Sequence, residues 1–219
     1  MIRTIAALCF LANAVPVAAD DAAGRDTGRS LVNEFLTGVD SLASRFEQTL
    51  IDANGEVLEV SRGTLEINRP GQFRWAFDEP YEQWLIADGL NVWSYDVDLA
   101  QATVKPQAEA LANTPAQLLG GSAAAMSEFE FDGVVEEDGL TWVRMRPVDT
   151  DSGFNRLELA FSDRKLARMV FFDNLEQTTH VSLQDVVVNE AIDPAHFKFE
   201  VPRGVDIVGT PALPDSESH

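Results

Sequence analysis

A chain of 219 residues, 45% of them hydrophobic, is long enough for one generous domain and short for two. Its 36 Asp and Glu against 16 Lys and Arg leave a formal charge of -20, which disfavours nucleic acid and anionic membrane surfaces as partners. The single cysteine, Cys9, excludes a disulfide framework, so stability has to come from the core.

The first element is a leader. Met1-Ile2-Arg3 is briefly basic, Ile5 to Val17 is almost wholly apolar, and Val17-Ala18-Ala19 supplies the small residues a signal peptidase reads. Cleavage is expected after Ala19, which removes Cys9 with residues 1–19. The run is shorter than the about 20 residues of a membrane span and no second candidate follows, so an exported, soluble domain over residues 20–210 is expected.

Leu31, Val32, Phe35, Leu36 and Val39 then recur at helical spacing behind Asp26 and Thr27 as caps, with Gly38 near the end. From there the period changes to two. Leu42, Phe46 and Leu50 share one face, Leu65 and Ile67 another, and Phe73, Trp75 and Phe77 follow an Arg69-Pro70-Gly71 break. Gln83 to Ala87 and Asn91 to Tyr95 flank Asp88-Gly89, a strong hairpin signal that makes the sheet antiparallel.

Between residues 106 and 127 the pattern lapses into Ala, Gly and Gln, with Thr114-Pro115 reading as cap and first position of a short helix through Leu119. Strands resume at Glu128 to Val135, Thr141 to Arg146, Arg156 to Phe161, Leu166 to Phe172 and Thr178 to Val188. Asp193-Pro194 starts a helical turn before a strand at Phe197 to Val201, and residues 211–219 read as a flexible tail. The whole is mainly β: an unclosed antiparallel barrel of about ten or eleven strands covered by short helices, because a long twisted sheet curls and helices plug its opening.

Sites for chemistry are not apparent. Gly120-Gly121-Ser122 lacks the glycine a nucleophile elbow needs after serine, and His180, His196 and His219 are scattered singly. Glu136, Glu137 and Asp138 crowd a turn as a solvated charge cluster, and phosphate-binding loops are missing. No catalytic residue, metal ligand or cofactor is nominated. The surplus is apolar, 13 Phe and 4 Trp, which fits either a packed core or the wall of a cavity. The acidity fits solubility in a salty habitat, or a shuttle kept off anionic lipid until a partner draws it in.

The stretch "RPGQFRWAFDEPYEQWLIADGLNVWSYDVDLAQATV" from Arg69 to Val104, with "NTPAQLL" from Asn113 to Leu119 and "FKFEVPRGVDIV" from Phe197 to Val208, resembles the outer-membrane lipoprotein carrier family, LolA. Phe46-Glu47-Gln48, Asp173-Asn174 and Gln177-Thr178 add weaker matches. The resemblance implies a periplasmic, monomeric, non-enzymatic protein without cofactor. Its partners would be acylated lipoproteins, an inner-membrane ABC-type release complex and an outer-membrane receptor. It further implies that Arg69 closes the lid by bonding carbonyls of the helix over Thr114 to Leu119, and that Phe73 stands at the cavity mouth and engages the release complex. Ala116 and Gln117 make this lid more polar than the family's.

A hollow apolar chamber is expected to be lined by Phe73, Trp75, Trp84, Leu85, Leu118, Leu119 and Met145, chosen partly by strand phase. Three alternatives stand beside the carrier. A sensor of envelope stress on the same half-barrel would normally bring a second domain, a lipid-anchored receptor would need a cysteine at its mature start, and a hydrolase would need groups not found.

Overall fold

A computed structural model describes residues 18–112, 114, 116–121 and 123–213. Most of the expected leader lies outside them, as do Asn113, Pro115, Ser122 and residues 214–219. Helix α1 (Ala18–Gly38) leads into a run of six strands, β1 (Ser41–Ile51), β2 (Val57–Asn68), β3 (Gln72–Glu79), β4 (Gln83–Asp88), β5 (Asn91–Asp96) and β6 (Gln101–Pro106). Two short helices, α2 (Gln107–Leu111) and α3 (Gln117–Gly120), and a 3-10 turn at Ala123–Glu128 carry the chain across to β7 (Phe129–Glu137). Strands β8 (Leu140–Pro147), β9 (Phe154–Ser162), β10 (Lys165–Asp173) and β11 (Thr178–Val188) follow. A 3-10 turn at Pro194–Phe197 and strand β12 (Asp206–Gly209) end the described chain.

The strands form one 12-stranded sheet in the order β12-β6-β5-β4-β3-β2-β1-β11-β10-β9-β8-β7. β12 and β7 stand at the two ends, so the sheet is curled but unclosed, as expected. The long pairing of β1 with β2 and with β11 stitches the two halves together. Period-two alternation turns Leu42, Phe46, Leu65, Ile67, Phe73, Trp75, Met145, Leu157, Leu159, Met169 and Val181 to one buried face. That face packs against Leu31, Val32, Phe35 and Leu36 of α1 and Leu118 and Leu119 of α3.

Three local expectations are corrected. α1 is already helical at Ala18, the first described residue, rather than only behind Asp26 and Thr27, since the alanines at 18, 19, 22 and 23 favour helix and nothing between them and Asp26 breaks it. Residues 197–201 are not a strand: Phe197 closes the 3-10 turn, started by Asp193 accepting from the Ala195 N–H, and is fully buried. Phe199 then lies against the rings of Trp93 and Tyr95 on the convex side of the sheet. The last strand is instead β12, and it pairs with β6 in parallel, so the sheet has one more strand than expected and one pair that is not antiparallel. Beyond it Ala212 is held by Asn91, whose side-chain amide donates to the Ala212 carbonyl (3.1 Å) and accepts from its N–H (2.6 Å).

Asp88-Gly89 forms the expected hairpin. Gly89 takes a φ of 101°, and the Asp88 carboxylate accepts from the N–H groups of Leu90 and Asn91 and from Trp93 Nε1. No helix among the described residues is long and apolar enough to cross a membrane.

Gly63 marks the tightest approach between strands. A Cβ there would lie 1.8 Å from the Ala76 carbonyl oxygen, at the point where the β2–β3 register shifts. Gly63→Ala is therefore expected to lower stability by about 1–3 kcal/mol, read from the urea midpoint. An unchanged midpoint would mean that β2 and β3 do not meet in this register.

Candidate functional site

The mouth of the curled sheet is closed by α1 and α3, and one side chain joins them. Arg69 sits in the turn between β2 and β3. Its Nη1 donates to the carbonyls of Phe35 (3.2 Å) and Val39 (2.5 Å), Nη2 to Leu118 (3.3 Å) and Nε to Gly121 (3.1 Å). The same guanidinium lies 4.6 Å from the centroid of the Phe35 ring. The last carbonyls of a helix have no partner within it and carry the negative end of its dipole, so a planar cation with a fork of donors suits the ends of two helices at once.

Burial lowers the Arg69 pKa from the usual guanidinium range to about 10, with Asp40 pulling the other way. The group therefore stays charged at neutral pH. A lysine ammonium gives up its proton far more readily when buried and offers no planar fork.

Backbone contacts complete the closure. The Gly71 N–H donates to the Gly120 carbonyl at 2.8 Å, and Gln107 ties two sheet turns together by donating to Gly71 O and accepting from Gly89 N. A Cβ on Gly120 would come 3.3 Å from the Gly71 carbonyl carbon, and one on Gly121 2.2 Å from Gln117 O. These close approaches are why glycine stands at the end of α3. The helix begins at Gln117, not Thr114. The Thr114 hydroxyl donates back to Leu111 O instead of capping α3, which has no side-chain cap.

Phe73, Trp75, Leu118, Leu119 and Met145 converge in the apolar interior, and half-buried Leu85 packs against them. Phe73 is fully buried beneath the lid, so it presents no surface while the lid is shut. Trp84 does not join the others. Trp75 pairs with Leu85 and Ala76 with Trp84, so the pleat sends Trp84 to the convex face, where it meets Tyr95 and Arg74.

The expected open chamber is also corrected: apolar side chains of α1 and α3 occupy the concavity, and Leu65, Ile67, Phe73, Val143 and Leu157 show no exposed surface. Open space lies instead beside the lid, in a groove of about 740 Å³ lined by Leu90, Gln107, Leu111, Gln117 and Ala125 among others. Sequence reasoning did not include α1 in the clamp. Its apolar stripe was legible, but nothing in the pattern shows that its C-terminal carbonyls reach Arg69. Among the described residues no group of three or more His, Cys, Asp or Glu is placed to hold a metal ion.

Residues 37–200 match the family model described as "Outer membrane lipoprotein carrier protein LolA". An outer-membrane lipoprotein carrier protein of Methylobacillus flagellatus is 35% identical over 185 residues, 84% of this chain and 90% of the relative. The protein of the same name from Pseudomonas aeruginosa is 36% identical over 208 residues, 95% and 98% of the two chains. An uncharacterized conserved protein from Thermus thermophilus shares the fold, with a TM-score of 0.52 at 13% identity over 84% of this chain and 98% of its own.

Arg69→Leu should strip both helix ends of their shared donor and lower stability by about 1.5–3 kcal/mol, the range for lost hydrogen bonds to a charged group. Below about pH 9 Arg69 is charged both folded and unfolded, so the difference from wild type should not change between pH 6 and 9. Above about pH 10 the folded chain loses this proton while the unfolded chain still holds it, so this group's contribution rises with pH. Urea unfolding of both proteins across this range checks the magnitude and the flat region together. No loss in the variant would remove Arg69 from the closure.

Proposed function

This chain belongs to the outer-membrane lipoprotein carrier family, LolA, and on that premise we propose that it carries acylated lipoproteins across the periplasm. It takes them from an inner-membrane ABC-type release complex and hands them to an outer-membrane receptor. The apolar leader at residues 1–19 supports export. The observation that carries the reading is the lid: two helices bury apolar faces in a curled sheet, and one half-buried guanidinium fastens both of their ends.

Each acyl CH2 withdrawn from a bilayer costs about 0.8 kcal/mol, so several chains cost tens of kcal/mol unless an apolar site receives them. The concave face is such a site once α1 and α3 lift. Cargo chains then replace Leu31, Val32, Phe35, Leu36, Leu118 and Leu119 against the same sheet, apolar group for apolar group. What differs between the states is the Arg69 clamp, which is lost on opening and regained on delivery. It weakens the hold on cargo, so that a receptor without such a competitor withdraws it. The task has no covalent step. Phe73 becomes available to the release complex when the lid lifts.

Membrane vesicles containing the release complex and a radiolabelled lipoprotein, supplied with ATP, test the reading. Mature wild-type protein should bring label into a soluble complex, and Arg69→Leu should accept label but deliver it to receptor-bearing membranes several-fold more slowly. Label that stays on the vesicles with wild type, while a known carrier frees it, would contradict the reading.

A further inference from the structure

We propose that Ser44 and Trp75 form a polar rung on the concave face that donates hydrogen bonds to the carbonyl oxygens at the heads of cargo acyl chains. The inference rests on the carrier reading and adds what that site recognises.

Among the described residues five buried side-chain polar atoms lack a hydrogen-bond partner: Ser44 Oγ, Trp75 Nε1, Gln117 Oε1, Arg144 Nε and Arg156 Nε. Both arginines also lie against Glu158 on the convex side, so their charge is compensated. Ser44 and Trp75 have no such compensation. Each is only 7% exposed, and they lie on the face that the helices cover. The ladder places Ser44 opposite Leu65, Leu65 opposite Trp75, and Trp75 opposite Leu85. Residues opposite one another across a sheet point to the same side, so the two donors share one row, two strand widths or about 10 Å apart at the backbone.

No acceptor lies within hydrogen-bond reach of either atom. Trp75 is packed edge-on against the Phe46 ring and stacked with Phe77. Ser44 lies opposite a bulge in β11: Ala43 pairs with Val187 and Arg45 with Gln184, so Asp185, at a φ of 54°, and Val186 together face the single residue Ser44. Bulges re-aim side chains and gather near functional sites. A buried donor without an acceptor is costly, and Ala or Phe would fill these positions without that cost.

The missing acceptor has to arrive with whatever enters the concavity. A hydrocarbon tail has none. The carbonyl that joins the tail to glycerol or to the polypeptide has one, carries no charge to desolvate, and sits at the head of the chain. Bonding there fixes how deeply the tails enter, and it discriminates acyl groups from plain alkyl chains.

The test compares a neutral diacylglyceryl ester lipid with the dialkyl ether lipid of the same chain length and head group, which lacks only the carbonyls. Affinity is read by displacement of an apolar fluorescent dye from the mature protein. Wild type should prefer the ester by about 10-fold. Ser44→Ala and Trp75→Phe should each reduce the preference, read as the ratio of ester to ether affinity within each variant, and the double variant should bring that ratio to about one. Ser44→Ala should also unfold at a higher urea concentration than wild type, which a serine kept for structural support would not do. Equal affinities in wild type, a comparison that needs no variant, overturn the rung and leave the carrier reading standing. A preference that survives in the double variant overturns it as well. Failure of both lipids to displace the dye overturns the rung and the carrier reading together.

Discussion

The closed form depends on a half-buried cation held among carbonyls. Arg69 gathers the ends of α1 and α3, far apart in sequence, onto one turn of the sheet, and four main-chain oxygens share its charge. Apolar packing alone would also hold the helices down, but it is non-directional and grows with area, so it offers no single point of release. A hydrogen-bonded cation is directional. Its bonds fail together once the helix ends move by little more than a bond length, because N–H···O interactions weaken steeply with distance and angle. The glycines at the end of α3 and at Gly71 allow main chain to meet main chain beside the guanidinium, which keeps the contact narrow.

A filled interior and a carrier's task agree under this arrangement. An empty apolar chamber of useful size would be unstable, since voids in a protein core forfeit dispersion contacts. The helices stand in for cargo, and the cavity exists only as an exchange of one apolar occupant for another. The exchange is imperfect at Ser44 and Trp75, which the helices leave without partners, so the closed state carries a polar deficit within its core. The convex side has the opposite character. Phe199 lies over the rings of Trp93 and Tyr95, and β12 covers the β6 edge that would otherwise end the sheet.

The strands were legible because their signal is local: side chains alternate, and turns such as Asp88-Gly89 or Glu137-Asp138-Gly139 break the alternation. β11 runs over Thr178–Val188 as read. What failed is set by the other end of the chain. Whether residues 197–201 or Asp206–Gly209 form the last strand depends on where the β6 edge lies, and both segments carry strand-favouring residues, Phe197, Phe199 and Val201 in one and Ile207 and Val208 in the other. Trp84 and Leu85 cannot share a face on one strand, so choosing both discarded the period-two rule at that point. The Arg69 contact to α3 came with the family resemblance, whereas its contact to α1 is a long-range meeting that no window of sequence contains. Nor does sequence show that Ser44 and Trp75 lack partners, since that depends on every neighbour.

Amide exchange at Gly71 measures the central claim most directly. Its N–H belongs to the sheet turn but its acceptor, Gly120 O, belongs to the lid, so its protection reports docking of α3 and little else. Saturating the mature protein with an acylated lipopeptide should speed exchange at Gly71 at least about 10-fold, while amides in the β1–β2 ladder stay protected. Lipopeptide bound with Gly71 as protected as in the free protein would show that cargo is held without lifting the lid, and would contradict the account.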